Sequence, residues 1–236
     1  GGTQLPQERF GSNLLSPMHR FYVTPENWNP DALVLAGSEA HHCGHVLRLQ
    51  AGDKVVLFDG RGHEITAEIT SAGASQIQLR KLHEAQTPPL RCRITLGQAI
   101  PKGKNMDLIV QKAVEIGAAE IAPILSDRTV VRLDGESAAS KQAKWQTVAI
   151  EAAKQCGQNW VPAVQTPQTL AQFFHERRRF DLQLIGSLQS DAVHLKKILA
   201  EYLSEHSDRP ASVLMLVGPE GDFTPAELSL ARSQGC

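Results

Sequence analysis

The stretch from Val213 to Glu227, Val-Leu-Met-Leu-Val-Gly-Pro-Glu-Gly-Asp-Phe-Thr-Pro-Ala-Glu, constrains the fold more than any other part of the chain. Val213 to Val217 is an unbroken apolar run, as a parallel strand shows when both its faces are covered. Thr224, Pro225 and Glu227 then spell a helix entry: an N-cap hydroxyl, proline at the first helical position and a carboxylate three residues after the cap. The loop between them, Gly218 to Asp222, is therefore predicted at the carboxyl end of a strand, where open α/β sheets bind their ligands. Phosphate cradles at such places offer backbone N–H groups and usually a lysine. This loop carries Glu220 and Asp222 instead, which would repel phosphate and suit an uncharged or cationic ligand. Many glycine-containing strand-to-helix turns bind nothing, and the pattern alone leaves that reading open.

The rest of the chain divides in two. From Met18 to about Glu84 the patterns are short and strand-like: Lys54 to Phe58, Glu64 to Thr70, and the strictly alternating Gln76 to Arg80. Within this part Ser38 is predicted to cap a short helix running to Leu49. The adjacent prolines of Gln86-Thr-Pro-Pro-Leu90 suit neither a helix interior nor a central strand and mark the boundary. Beyond them strands and helices alternate, which argues for a parallel sheet with helices on both faces. The expected strands are Cys92 to Gln98, Glu120 to Leu125, Phe180 to Ile185 and Val213 to Val217. The expected helices are Lys104 to Ile116, Ser137 to Cys156, Leu188 to Tyr202 and the one starting at Pro225. Met106, Ile109, Val110, Ala113 and Ile116 share one helix face, and Trp145, Val148, Ala149, Ala152 and Cys156 another. Gly1 to Pro17 is polar and without periodicity, so Met18 reads as the native start and the preceding residues as an appended leader. The last helix ends near Gly235 where a doubly wound domain would return to another strand, which predicts a further segment past Cys236.

Several function classes drop out. No apolar run approaches the ~20 residues of a membrane helix. Cys43, Cys92, Cys156 and Cys236 are widely spaced, which favours reduced thiols in a cytoplasmic protein. G-x-S-x-G, Walker A and G-x-G-x-x-G patterns are absent. A formal net charge of -1 is no footprint for bulk nucleic-acid binding, so any RNA contact must come from locally gathered cations. His41 and His45 share a helix face but lack acidic or thiolate company, and no metal is expected there. Val46-Leu-Arg48 together with Arg20 reads better as a basic surface for phosphate. Lys102, Lys104 and Arg128 follow strands and read equally as phosphate contacts or solvated loop residues.

With Gly218 to Glu227 in place, the chain resembles the bacterial 16S rRNA uracil-N3 methyltransferase family (ribosomal RNA small-subunit methyltransferase E), of the knotted SPOUT class. His42 with Val46-Leu-Arg48, Lys102 to Asp107, Gln111 to Gly117, Arg128 and Glu151 to Gly157 match its pattern in order. The resemblance implies a small PUA-like RNA-binding β-barrel over residues 18–87. It implies a parallel-sheet α/β domain with a C-terminal trefoil knot over residues 88–236. It further implies a cytoplasmic homodimer that uses S-adenosylmethionine to methylate N3 of a uridine in 16S rRNA, on the assembled small ribosomal subunit. The cofactor pocket would include Leu184, Ile185, Gly186, Leu216, Val217, Gly218, Pro219, Glu220 and Gly221, and RNA contacts Arg20, Arg48, Lys102 and Arg128. A non-enzymatic RNA-binding or ribosome-assembly protein, or a knotted enzyme acting on tRNA, are the alternatives. Gln158 stands where the family usually has arginine, and Asp222 where glycine is more usual. The family's last motif, Leu-Gly…Leu-Arg…Glu-Thr, would lie past Cys236; the knot is expected to be incomplete here and the catalytic residues to lie in that segment.

Overall fold

The structure, a computed structural model, describes residues 18–73, 75–129, 135–176, 179–220 and 222–236. The leader expected over Gly1 to Pro17 lies outside them. Two sheets carry the fold. The first contains β1 (Arg20–Tyr22), β2 (Val34–Ala36), β3 (Lys54–Phe58), β4 (His63–Ala72) and β5 (Gln76–Gln86). Their order is β1-β3-β4-β5-β2, with β1 parallel to β3 and the remaining pairs antiparallel. This hydrogen-bonded path is open, with β1 and β2 at its ends. In β5 the predicted alternation holds: Ile77 and Leu79 are buried between exposed neighbours. The strand continues to Gln86 and stays paired with β4 as far as His63, with two register shifts that leave Leu82 on β5 and Thr70 on β4 without a register partner. Phe21, Leu35, Cys43, Val55, Leu57, Ile65 and Ile69 fill the space between this sheet and a short helix.

That helix, α1 (Gly37–His41), runs into a π-helical turn over His42–Val46. Ser38 does not cap it. Gly37 takes φ +59° and turns the chain off β2, so the N-cap position falls on Ala36 and Ser38 lies inside the first turn.

The second sheet is built from β6 (Arg93–Ala99), β7 (Glu120–Leu125), β8 (Ala163–Val164), β9 (Gln168–Thr169), β10 (Leu182–Gly186) and β11 (Ser212–Val217). Every described pairing in it is parallel, in the order β10-β11-β6-β7-β8, with β9 also on β7. Pro123 is tolerated inside β7 where the outer partner changes: β8 pairs Glu120 and Ile121, and β9 pairs Ile124 and Leu125. One face packs Ile121 against α2 (Asn105–Glu115) and α3 (Gly135–Cys156) through Met106, Val110, Trp145 and Ala149. The other packs Leu214 and Leu216 against α4 (Leu170–His175) and α6 (Pro225–Ser233) through Phe173, Leu228 and Ala231. Helices therefore cover both faces, as the alternation predicts.

Three expectations need correction. Ile116 and Cys156, assigned to buried faces, are exposed, because each follows the last turn that packs and a left-handed glycine, Gly117 or Gly157, comes next. The helix expected from Leu188 begins only at α5 (Leu195–Glu205). No helix of the described residues is long and apolar enough to cross a membrane.

Candidate functional site

Register brings the site together. Gly186 of β10 stands opposite Val217 of β11, and Val217 opposite Gln98 of β6. Three parallel strands thus end at one level, and the loops that follow them gather at a single edge. The Gly218 loop is folded back tightly: a Cβ on Gly218 would lie 3.0 Å from Phe223 N and 3.1 Å from Asp222 Cα. Only glycine fits that approach without a shift of backbone.

The three carboxylates of this segment each hold a different neighbouring loop. Glu220 Oε1 accepts from Lys102 N, in the loop after β6, at 2.9 Å. Backbone N–H donation from Glu220 itself and from Lys102 pulls its carboxyl below the usual range, aided by the Lys102 charge. Asp222 Oδ2 accepts from Leu188 N, in the loop after β10, at 3.1 Å, while Oδ1 accepts from Phe223 N at 2.7 Å. Glu227 accepts from Asp127 N at 3.0 Å and from Ser126 Oγ at 3.1 Å, both in the loop after β7. Glu227 also closes the predicted capping box with Thr224. One short segment therefore clamps the loops that follow β6, β7 and β10.

Asp222 takes φ +66°, the left-handed region that favours glycine. The aspartate holds the same backbone through two hydrogen bonds and stays buried. Glu220, by contrast, is exposed at the mouth.

Of the residues expected to hold a cofactor, Leu184, Ile185 and Gly186 end β10 beside Leu216, Val217, Gly218, Pro219 and Glu220. Leu216 is buried in the sheet, whereas Val217, Gly218 and Pro219 are half-buried. Gly221 lies outside the described residues. Leu188, just past β10, is 85% exposed and adds an apolar surface at the same edge.

The four expected RNA contacts do not form one patch. Lys102 joins the Gly218 loop through its backbone, and Arg128 reaches it with Nη1 3.4 Å from Asp222 O. Arg128 also borders a cavity of about 300 Å³ shared with Gln189, Asp222 and Arg232. Arg48 is exposed on the first domain, in a left-handed conformation at φ +56°. Arg20 is engaged within the protein: it binds Glu64 at 2.8 Å, bonds to Asn159 Oδ1 and lies over the Phe58 ring. Its guanidinium ties the first domain to the second, with only 14% of the side chain exposed. The carbonyl of Gln158 faces the same guanidinium. His41 and His45 stack with ring centroids 4.8 Å apart, and no group of three or more metal-ligating side chains occurs among the described residues.

Sequence reasoning missed the partners of Asp222 and Glu227. Glu227 was legible as a cap, but its bonds to Ser126 and Asp127 span about 100 positions and leave no local signal. The α4 helix did carry one, the Thr169…Gln172 capping box that the structure shows.

Residues 88–236 match the family described as RNA methyltransferase domain, and residues 35–82 the one described as RNA methyltransferase PUA domain. Among curated relatives, ribosomal RNA small subunit methyltransferase E of a Synechocystis strain is 30% identical, over 98% of this chain and 73% of its own length. The enzyme of that name from Bacillus subtilis is 29% identical, over 85% of this chain and 78% of its own. A ribosomal RNA small subunit methyltransferase E from Neisseria gonorrhoeae, solved bound to S-adenosyl methionine, superposes with a TM-score of 0.79. It is 34% identical and the match covers 92% of this chain and 86% of that one. A Legionella pneumophila protein solved in complex with the bound cofactor SAM gives a TM-score of 0.80 at 30% identity, over 93% and 87% of the two chains.

Proposed function

Because the chain belongs to the ribosomal RNA small subunit methyltransferase E family, we propose that it methylates N3 of a uridine in 16S rRNA, with S-adenosylmethionine as methyl donor and the assembled small subunit as substrate. The observation that carries this reading is the braced loop at the carboxyl ends of β10, β11 and β6, whose three carboxylates are fixed by neighbouring backbone N–H groups.

The residues fit the cofactor. Half-buried Val217, Gly218 and Pro219 offer backbone groups, Leu184, Ile185 and Leu188 an apolar flank, and exposed Glu220 a negative charge. When bound, S-adenosylmethionine supplies an electrophilic methyl group on a cationic sulfonium. The chain's own part is to hold the loop rigid, since orientation and a fixed electrostatic environment supply much of the rate in such a transfer. N3 lies on the Watson–Crick edge, so the target uridine must be unpaired or swung out before it reaches this edge of the sheet. Lys102 and Arg128, which flank the loop, meet the flanking phosphates, and Arg48 extends that contact to the first domain. Arg20 acts at one remove, by fixing the two domains against each other.

The enzyme works as a homodimer whose C-terminal part forms the knot. In support, α5 has no buried residue and leaves Leu195, Leu199 and Leu203 exposed, an apolar face suited to a second copy.

The test is transfer of labelled methyl groups by the protein to small subunits lacking the modification. The modified base is then mapped by the block that an N3-methyl places on reverse transcription. Incorporation at one uridine of 16S rRNA is expected. Incorporation into tRNA alone, or into nothing, defeats the reading.

A further inference from the structure

The seam between the two domains holds a cavity at the opposite end of the parallel sheet from the cofactor loop. Its walls are the turn Gly60–Arg61 of the first domain, the linker Pro88 to Leu90, the start of β6 at Arg93, and Trp160 to Ala163. The volume is about 250 Å³. These walls are held in place. Gly62 N donates to Asn159 O at 3.0 Å, Thr87 N to Gly62 O at 2.8 Å, and Val161 N to Gly60 O at 3.1 Å. Trp160 Nε1 donates to Thr87 O at 2.9 Å, which fixes the indole. Gly62 permits this packing: a Cβ there would fall 2.5 Å from Thr87 O and 2.9 Å from the Trp160 ring.

The chemistry of the lining is one-sided. Trp160, Pro89, Leu90 and Val161 present ring and hydrocarbon surface, and Leu90 is 62% exposed. Arg61 and Arg93 are exposed at the rim, and neither guanidinium has a hydrogen-bond or ion-pair partner among the described residues. No carboxylate lines the cavity. An aromatic plane beside unpaired arginines is the arrangement by which proteins take unpaired nucleotides, stacking the base and meeting the phosphates. Residue Arg93 begins β6 here and Ala99 ends it near the cofactor loop. At ~3.3 Å per residue the two places lie on the order of 20 Å apart.

We propose that this cavity binds one unpaired nucleotide of the RNA substrate, its base against Trp160 and Leu90 and its phosphates on Arg61 and Arg93. The inference rests on the RNA-substrate reading above and adds an anchoring site remote from methyl transfer. An RNA lying across both domains would cross the seam, so anchoring here sets which uridine reaches the cofactor edge.

The experiment compares the protein with its Arg61→Ala/Arg93→Ala variant, using a fluorescein-labelled ten-nucleotide oligouridylate. Affinity is read by anisotropy across a salt series, and S-adenosylmethionine affinity by calorimetry. The variant is expected to bind the oligonucleotide at least tenfold more weakly. Its log Kd against log salt slope should flatten by about 1.4, two phosphate contacts at ~0.7 each for a single strand. Cofactor affinity and thermal midpoint should not change, and Arg61→Lys/Arg93→Lys should restore the slope. Uridine monophosphate should displace the oligonucleotide, whereas inorganic phosphate at equal ionic strength should not. Unchanged affinity and slope in the alanine variant overturn the proposal, and equal displacement by phosphate overturns the role of the base. The two readings fail separately. Arginine-dependent oligonucleotide binding without methyl transfer to small subunits would leave the cavity standing and remove the enzyme reading. Normal methyl transfer with an unaltered KM for subunits in the alanine variant would remove the cavity alone.

Discussion

Replacing Glu227 tests whether the segment after β11 is a local cap or a brace for the whole edge. Its buried carboxylate receives hydrogen bonds from Thr224 N at 2.8 Å, Thr224 Oγ1 at 2.9 Å, Asp127 N at 3.0 Å and Ser126 Oγ at 3.1 Å. Loss of the reciprocal cap alone costs about 1 kcal/mol. The Ser126 and Asp127 bonds are charge-assisted, and Ser126 is itself buried and unable to turn to water. Removing their acceptor adds about 2 kcal/mol. Glu227→Ala should therefore lose about 3 kcal/mol, which at ~2–4 °C per kcal/mol for a chain of this size is a fall in Tm of roughly 6–12 °C. Glu227→Gln keeps the shape but turns a donor toward donors, so it should lose roughly half as much. Urea unfolding of Glu227→Ala, Ser126→Ala and the double variant isolates the long-range part, with a coupling of about 1 kcal/mol expected. A loss no larger than that of a cap, with coupling below about 0.3 kcal/mol, would refute the brace.

Three further outcomes follow from the same geometry. Asp222→Ala should be less stable than Asp222→Gly by about 1 kcal/mol in urea unfolding, because both lose the bonds to Leu188 and Phe223 but only alanine keeps the left-handed strain at φ +66°. Equal stabilities would deny that strain. Gly97→Ala should cost about 1–3 kcal/mol by the same measurement, since the added Cβ meets Leu216 Cδ2 at 2.5 Å in the centre of the sheet; a neutral result would show that β11 yields there. Glu220 has its carboxyl held below the ordinary value of 4.5, so its bond to Lys102 N is present above that pH and lost only as pH falls through the depressed value. Exchange protection of the Lys102 amide should follow that profile, and protection that is flat on acidification would contradict it.

What was legible in the chain was whatever local chemistry decides. The strand β11, the cap at Thr224, the proline at the start of α6 and the left-handed glycines after α2 and α3 all stand where short-range rules put them. The misplaced start of α5 shows where such rules stop. Leu188 begins an apolar helical pattern, yet its N–H is drawn to Asp222, 34 positions on. The helix starts instead after His194, whose Nδ1 accepts from Lys196 N at 3.2 Å, a cap outside the usual Ser, Thr, Asp and Asn set. The strands β8 and β9 are two residues each and exist only because β7 offers an edge, so no periodicity announces them. Arg20 is the same lesson for the site: a lone arginine reads as a phosphate contact until Glu64, Asn159 and Phe58 surround it.

The acidic loop changes meaning under this geometry. In the sequence, Glu220 and Asp222 speak only of the charge of the ligand the loop would repel or accept. In the structure Asp222 and Glu227 are buried and committed to N–H groups of other loops, so their first effect is rigidity rather than selection. Selection is left to Glu220, the exposed member, and to the backbone that the other two hold still. Rigidity and selection separate experimentally. Loosening Asp222 or Glu227 should lower stability and cofactor affinity together, whereas Glu220→Gln should weaken a cationic cofactor while the urea midpoint stays that of the wild type, as expected for an exposed side chain.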